Sequence, residues 1–178
     1  MINIQMSIVE QSFLFDCIRL VPENSIIVEI GTLFGGSAEI LYRASKEKNN
    51  KIFTIDSYEL ERTSMENTKM NLQNAGCEGL TVIQGLSSDV AKDWKLPIDC
   101  LFIDGDHQYE SVKLDIKSWL SKVKMGGMVL FHDYESWLGV TQAVNEAIEK
   151  GELQKEGQAQ SLLLTKYSCS DCAFFKKI

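Results

Sequence analysis

Two hydrophobic rhythms alternate along this chain. Short, β-branched apolar runs end abruptly on Gly, Asp or His, and between them apolar positions recur every three or four residues. The first rhythm predicts buried strands and the second amphipathic helices. Leu14, Cys17, Ile18 and Val21 predict a covering helix over residues 7–21, closed by Pro22. Ile26–Ile30 is the first predicted strand, followed by glycines and a helix to about Lys48. Lys51–Asp56 is the second, with a polar helix over about 61–75 that stops at Gly76, a residue suited to a left-handed cap. The third strand is 80–85, and a short helix over 88–94 follows, capped by Ser87 or Ser88. Ile98–Ile103 is the fourth strand. Tyr109, Val112, Ile116, Trp119, Leu120 and Val123 then mark a helix with Lys113, Asp115 and Lys117 on its polar side. Gly126-Gly127 is read as a turn into a fifth strand, 128–131. Val140, Ala143, Val144, Ala147 and Ile148 form the last amphipathic helix, stopped by Gly151. Residues 161–167 and 173–178 are read as a terminal hairpin around Cys169 and Cys172.

Strand–helix alternation repeated five times predicts the α/β class: a Rossmann-like, doubly wound, mostly parallel sheet with right-handed crossovers. A chain of 178 residues carries one sizeable core, so residues 1–178 are expected to form one domain, with 1–22 covering a core of 23–178. The net charge of -7 argues against nucleic acid as a partner and favours a small molecule. No basic segment precedes the first apolar residues and no apolar run approaches a membrane span, so a cytoplasmic location without membrane contact is expected. Five scattered cysteines do not form a disulfide framework, and Cys169 with Cys172 reads as a turn rather than a zinc or redox pair. The oligomeric state is open, a homodimer included.

Chemistry concentrates at two strand ends. The fourth strand ends in Asp104-Gly105-Asp106-His107 and the fifth in His132-Asp133-Tyr134, and the carboxyl edge of an open α/β sheet is where its ligands bind. Asp104, His132 and Asp133 end adjacent strands and can converge on one cation. Carboxylates suit hard ions and an imidazole shifts preference toward Mn²⁺, Fe²⁺ or Zn²⁺, which leaves Mg²⁺ or Mn²⁺ as the first candidates. His107 and Asp106 are candidate general bases, with an imidazole better matched to neutral pH. Asp106 equally suits a helix cap and His107 a backbone contact. Tyr109, Tyr134 and Trp137 are candidates to stack on a substrate, Tyr109 equally to join the core, and Trp94 and Trp119 are assigned to packing.

The loop Glu29-Ile30-Gly31-Thr32-Leu33-Phe34-Gly35-Gly36-Ser37 joins the first strand to its helix, where backbone amides and the helix N-terminus favour an anionic group. Leu33 occupies the place of the second glycine of the dinucleotide fingerprint, which disfavours nicotinamide and flavin cofactors. Asp56, ending the second strand, can accept hydrogen bonds from both hydroxyls of a ribose.

Together, 29–36, Asp56, 85–87, 103–107 and 131–134 resemble class I S-adenosylmethionine-dependent methyltransferases. The closer resemblance is to the branch with Ile-Asp-Gly-Asp-His-x-Tyr at strand four and His-Asp-Tyr at strand five. The resemblance implies seven strands in the order 3-2-1-4-5-7-6, with an antiparallel C-terminal hairpin. It implies that Gly31, Gly35 and Gly36 let the backbone approach the methionine part of S-adenosylmethionine, bordered by Glu29 and Ser37. Asp56 would hold the ribose, and Ser57, Gly85, Leu86 and Ser87 would border the adenine. Asp104 would lie beside the cofactor and take part in catalysis. Similar antibiotic sugar O-methyltransferases place metal carboxylates at the positions of Asp104 and Asp133 but carry Asp or Glu where this chain has His132. The Asn/Asp-Pro-Pro-Tyr signature of nucleic-acid amino-group methyltransferases is absent, which favours an oxygen acceptor. The expectation is methyl transfer to a hydroxyl of a small molecule, with or without a metal. A hydroxylase-like relative on the same fold and a non-catalytic S-adenosylmethionine-binding module are the alternatives.

Overall fold

The computed structural model describes residues 2–59 and 62–168. Seven strands form one sheet: β1 (Ile26–Ile30), β2 (Lys51–Asp56), β3 (Thr81–Gln84), β4 (Ile98–Ile103), β5 (Val123–Phe131), β6 (Leu153–Ala159) and β7 (Leu162–Tyr167). Their order is β3-β2-β1-β4-β5-β7-β6. The first five run parallel, while β7 is antiparallel to β5 and β6. The expected seven-stranded Rossmann-like fold is therefore present.

β4 occupies the middle, paired with β1 and β5, and Cys100, Leu101 and Phe102 are fully buried because helices cover both faces. On one face α1 (Ile8–Leu20) and α2 (Gly36–Ser45) place Leu14, Ile18 and Leu41 against Phe102 and Leu130. On the other, α4 (Ser87–Asp93), α5 (Tyr109–Trp119) and α6 (Leu138–Glu149) pack Val112, Trp119, Val140 and Val144 onto Leu101, Ile103, Val129 and Phe131. α3 (Met65–Asn74) contributes Leu72, which packs beside Ala38 and Cys77. Trp119 is fully buried, with Trp94 edge-on at 5.4 Å and Phe53 edge-on to Trp94 at 4.9 Å. Both tryptophans do the packing expected of them.

Several local expectations are corrected. The terminal hairpin joins β6 to β7 through a turn at Gln160 and Ser161, and the strand expected over 161–167 is its second arm. β6 reads Leu-Gln-Lys-Glu-Gly-Gln-Ala, with Leu153 alone buried, so an edge strand carried no hydrophobic signal. The expected second strand, with Cys169 and Cys172, lies outside the described residues. Gly126-Gly127 does not precede β5 but lies within it, at an irregularity where the register with β4 shifts between Ile98 and Cys100. α3 begins at Met65, capped by Ser64, later than the pattern implied. Asp115 is buried, not on a solvated face, because it accepts a hydrogen bond from the Ser87 hydroxyl. That bond also removes Ser87 from capping; the N-cap of α4 is Leu86, without a side-chain cap.

No helix among the described residues is long and apolar enough to cross a membrane. Cys17, Cys77 and Cys100 are free and buried. Because Trp119 anchors the helices of one face, Trp119→Ala is expected to cost about 3–5 kcal/mol in urea unfolding, the usual range for a fully buried large aromatic. A loss below about 1 kcal/mol would contradict that anchoring role.

Candidate active site at the carboxyl edge of the sheet

Strand pairing runs past the regular ends of the sheet and shapes the loops above it. The Gly31 amide donates to the Ile55 carbonyl and the Asp104 amide to the Ile30 carbonyl, both at 2.8 Å. At Gly31 the backbone has φ +92, and a Cβ there would lie 1.9 Å from the Asp104 carbonyl oxygen. Only glycine fits, so the glycine loop and the acidic tip of β4 share a wall. Gly35 is also left-handed, at φ +93, and a Cβ on Gly36 would meet the Asn3 carbonyl at 2.6 Å. The N-terminal segment thus laps over the start of α2.

Asp56 braces this loop. Its Oδ2 accepts from the Thr32 and Leu33 amides at 3.0 and 2.8 Å, and its Oδ1 from the Tyr58 amide at 2.8 Å. These bonds support Leu33, whose φ of +46 is unusual for a non-glycine residue. Beneath the loop, Glu29 is completely buried, hydrogen-bonded by the Thr54 hydroxyl, and its Oε1 has no partner among the described residues. Burial pushes its carboxyl up to about 7, opposed by the nearby Ser37 and Thr54 hydroxyls and helped by the charges of Asp104 and Asp56. Ser57 accepts from the Glu59 amide at 3.3 Å, and Gly85 donates to the Asp56 carbonyl at 2.9 Å. The β2 and β3 tips are thereby joined, with Ser87 held by Asp115 behind them.

The second cluster lies at the tips of β4 and β5. His132 Nδ1 is 3.0 Å from Asp104 Oδ1 and 3.2 Å from Asp133 Oδ2, and Asp133 Oδ2 is also 2.9 Å from His107 Nε2. Asp133 adopts φ +60, a left-handed conformation that Asp tolerates better than most residues, and its carboxylate thereby sits between the two imidazoles. Trp137 stacks on His107 with ring centres 4.7 Å apart, and a Cβ at Gly139 would lie 2.4 Å from the His107 carbonyl oxygen, so the start of α6 is pressed onto the loop after β4.

Electrostatics within this cluster follow from burial and contact. Burial alone would lower the His132 imidazole, but Asp104 and Asp133 outweigh it and push the ring up to about 10. Burial would raise Asp133, yet its bonds to His107 and His132 hold it well below the ordinary carboxylate range. The bond to Asp133 raises His107. Burial raises Asp104, opposed by the His132 imidazolium.

Ligand atoms of Asp104, His107 and Asp133 lie within 4.8 Å of one another and could hold a metal ion. Asp104 and Asp133 are together, as the sequence suggested. His107 completes this set, while His132, the expected third ligand, lies beside it as a partner of both carboxylates. Asp106 turns away: it accepts from the Ser111 hydroxyl at 2.6 Å and the Gln108 amide at 3.3 Å, at the start of α5. Tyr134 is buried and donates to Asn145 at 2.8 Å, so it is a packing residue and offers no face to a substrate. Tyr109 donates to Glu146 at 2.9 Å, and Trp137 remains half exposed. Pattern reading missed three buried acids, Glu10, Glu39 and Asp115. Glu10 was visible only as the fourth residue of a Ser-x-x-Glu capping box begun by Ser7. Asp115 gave no signal among its polar neighbours.

A larger groove of about 740 Å³ opens between α2 and α3, lined by Ile4, Glu39, Ile40, Arg43, Asn71 and Asn74. Its charged groups, Glu39 and Arg43, pair with each other, and none of the strand-tip acids lines it. The strand-tip cluster therefore lies outside this groove.

Two outcomes test this geometry. Gly31→Ala places a side chain on a left-handed backbone against the Asp104 carbonyl, and at least about 3 kcal/mol of stability should be lost in urea unfolding; a neutral effect would show that the loop and the β4 tip are not in contact. His132 has a folded-state pKa of about 10 against an ordinary 6.5. Its ion pairs therefore stabilise fully below pH 6.5 and lose that contribution as pH rises toward 10. The stability difference between wild type and His132→Gln should shrink across that window, and a constant difference would contradict the pairing.

Comparison with known proteins gives the context. Residues 28–134 match the model of a family described as a methyltransferase domain. An uncharacterized protein of Acanthamoeba polyphaga mimivirus is 37% identical over 132 residues, 68% of this chain and 58% of that protein. An uncharacterized protein of Sinorhizobium fredii is 45% identical over 38 residues, 21% of this chain and 4% of its own. The matches thus span less than two thirds of these curated relatives. Among solved structures, the O-methyltransferase of Bacillus cereus in complex with S-adenosylhomocysteine has a TM-score of 0.73 at 16% identity, covering 92% of this chain and 83% of its own. The O-methyltransferase NovP scores 0.72 at 21%, covering 94% and 84%. The S-adenosylhomocysteine-bound methyltransferase of Podospora anserina scores 0.75 at 15%, covering 93% and 80%. These likenesses establish a shared fold.

Proposed function

The chain belongs to the methyltransferase domain family, and from that premise we propose that it transfers a methyl group from S-adenosylmethionine to a hydroxyl of a small molecule. The observation that carries the reading is the wall shared by Gly31 and Asp104, which sets a glycine loop suited to the donor directly beside an acid–imidazole cluster suited to the acceptor. Two structural neighbours hold S-adenosylhomocysteine and two are O-methyltransferases, which supports the same choice of donor and acceptor atom.

The residues present fit the donor. Gly31, Gly35 and Gly36 clear space for close approach at the N-terminus of α2, bordered by Ser37. The unpartnered Oε1 of Glu29 suits the cationic end of the methionine moiety. Asp56 spends one bond on Tyr58 at Oδ1 and two on the loop at Oδ2, which leaves Oδ1 a lone pair for a ribose hydroxyl. Ser57, Gly85, Leu86 and Ser87 follow along the edge toward the adenine. When bound, S-adenosylmethionine supplies an electrophilic methyl whose carbon–sulfur electron pair returns to sulfur as the acceptor oxygen bonds to carbon.

His107 takes the acceptor's proton. Its Nε2 is held by Asp133 and its ring is fixed by the stack on Trp137, which leaves Nδ1 to receive the proton while Asp133 stabilises the resulting imidazolium. Asp106, bound to the start of α5, has the lesser part. Asp104, His107 and Asp133 would alternatively hold Mg²⁺ or Mn²⁺, whose charge would lower the acceptor's pKa. A His107 Nε2 given to a metal would no longer donate to Asp133, so the two routes differ in metal dependence. The acidic edge disfavours anionic acceptors by repulsion and leaves neutral hydroxyl compounds.

Calorimetric titration with S-adenosylhomocysteine, in EDTA and with Mg²⁺ or Mn²⁺, tests the donor. One-to-one binding in EDTA is expected, and absence of binding under every condition would overturn the reading.

A further inference from the structure

Glu10 belongs to α1 and lies far in sequence from both strand tips, yet it is only 5% exposed. Its Oε2 accepts from the Ser7 amide at 2.9 Å, and its Oε1 from the Ser161 amide and hydroxyl at 3.0 and 2.5 Å. The same Oε1 lies 3.7 Å from His132 Nε2, a buried nitrogen with no hydrogen-bond partner among the described residues. The other ring nitrogen faces Asp104 and Asp133. Ser161 closes the arrangement from the backbone, since its carbonyl accepts from the Tyr134 amide at 2.9 Å, two residues beyond His132.

We propose that Glu10 is a positioning residue of the site: it fixes the orientation of the His132 ring and, through it, the spacing of Asp104 and Asp133. An imidazole presents two nitrogens on opposite sides, and the partner of one decides what the other can do. Glu10 is the carboxylate facing Nε2, so Nδ1 stays between the two strand-tip acids. Without that partner the ring is free to turn, Nδ1 leaves the acids, and two carboxylates at the tips of β4 and β5 repel each other. The N-terminal helix and the β6–β7 turn are therefore part of the site and not only its cover. The consequence for catalysis rests on the methyltransferase reading; the geometric coupling does not.

The chain has two histidines, so imidazole-¹⁵N labelling resolves both, with His107→Gln assigning the pair. In the wild type an exchange-protected proton on His132 Nε2 is expected. Glu10→Gln should abolish that protection and displace the resonance, and Glu10→Asp should restore part of it. Ser161→Ala removes only the hydroxyl bond and leaves the Ser161 and Ser7 amides on the Glu10 carboxylate, so it should lower the Tm and leave the His132 signals in place. An unprotected Nε2 in the wild type, an unchanged ring in Glu10→Gln, or equal displacement by Ser161→Ala would each overturn the proposal. S-adenosylhomocysteine titration of the same samples separates the two claims. Glu10→Gln should bind it within about threefold of wild type, an interval well under the tenfold that 1.4 kcal/mol represents. Failure of the wild type to bind would count against the methyltransferase reading alone.

Discussion

The contact between the Gly31 backbone and the Asp104 carbonyl is the constraint on which the rest of this structure depends. It exists because β1 and β4 are parallel neighbours whose pairing continues one residue past β4, through the Asp104 amide and the Ile30 carbonyl. Parallel strands deliver their ends to the same edge, and that edge gathers the tips of β1, β2, β4 and β5. Two loops that could have been separate are thereby pressed together. A side chain at position 31 would force them apart, and the wall shared by the glycine loop and the β4 tip would be lost.

Burying so many acids at one edge is costly, and the structure offsets the cost with partners of two kinds. Asp56 is satisfied by backbone amides, which also hold the glycine loop in shape. Asp104 and Asp133 are satisfied by imidazole, with His132 between them and His107 on the outer side of Asp133. Removing one member of such a network leaves a buried charge unpaired, which is far more destabilising than the pair is stabilising. Glu29 keeps a buried carboxylate oxygen without a hydrogen-bond partner among the described residues, and a bound cation there would complete the accounting.

Much of this was legible in the chain. Runs such as Ile26–Ile30 and Ile98–Ile103 are buried on both faces, so their apolar composition marked them as inner parallel strands, and their polar ends marked the site. What depended on distant partners was not legible. β6 is an edge strand without alternation, and Asp115 looked solvated because Ser87, 28 residues away, meets it only in the fold. His132 ended a strand adjacent to that of Asp104 and so read as a metal ligand, whereas Glu10, from the other end of the chain, lies 3.7 Å from its Nε2. Tyr134 ended a motif and so resembled a site residue, whereas Asn145 and the core hold it.

The central claim is that donor and acid cluster meet at one edge of the sheet. Amide chemical-shift mapping during addition of S-adenosylhomocysteine tests it most directly. The account predicts perturbations at Gly31, Gly35, Ser37, Asp56, Gly85 and Ser87 that extend across the shared wall to Asp104 and His107. Perturbations confined to the groove between α2 and α3, at Ile40, Arg43 and Asn74, with the strand tips unmoved, would contradict it.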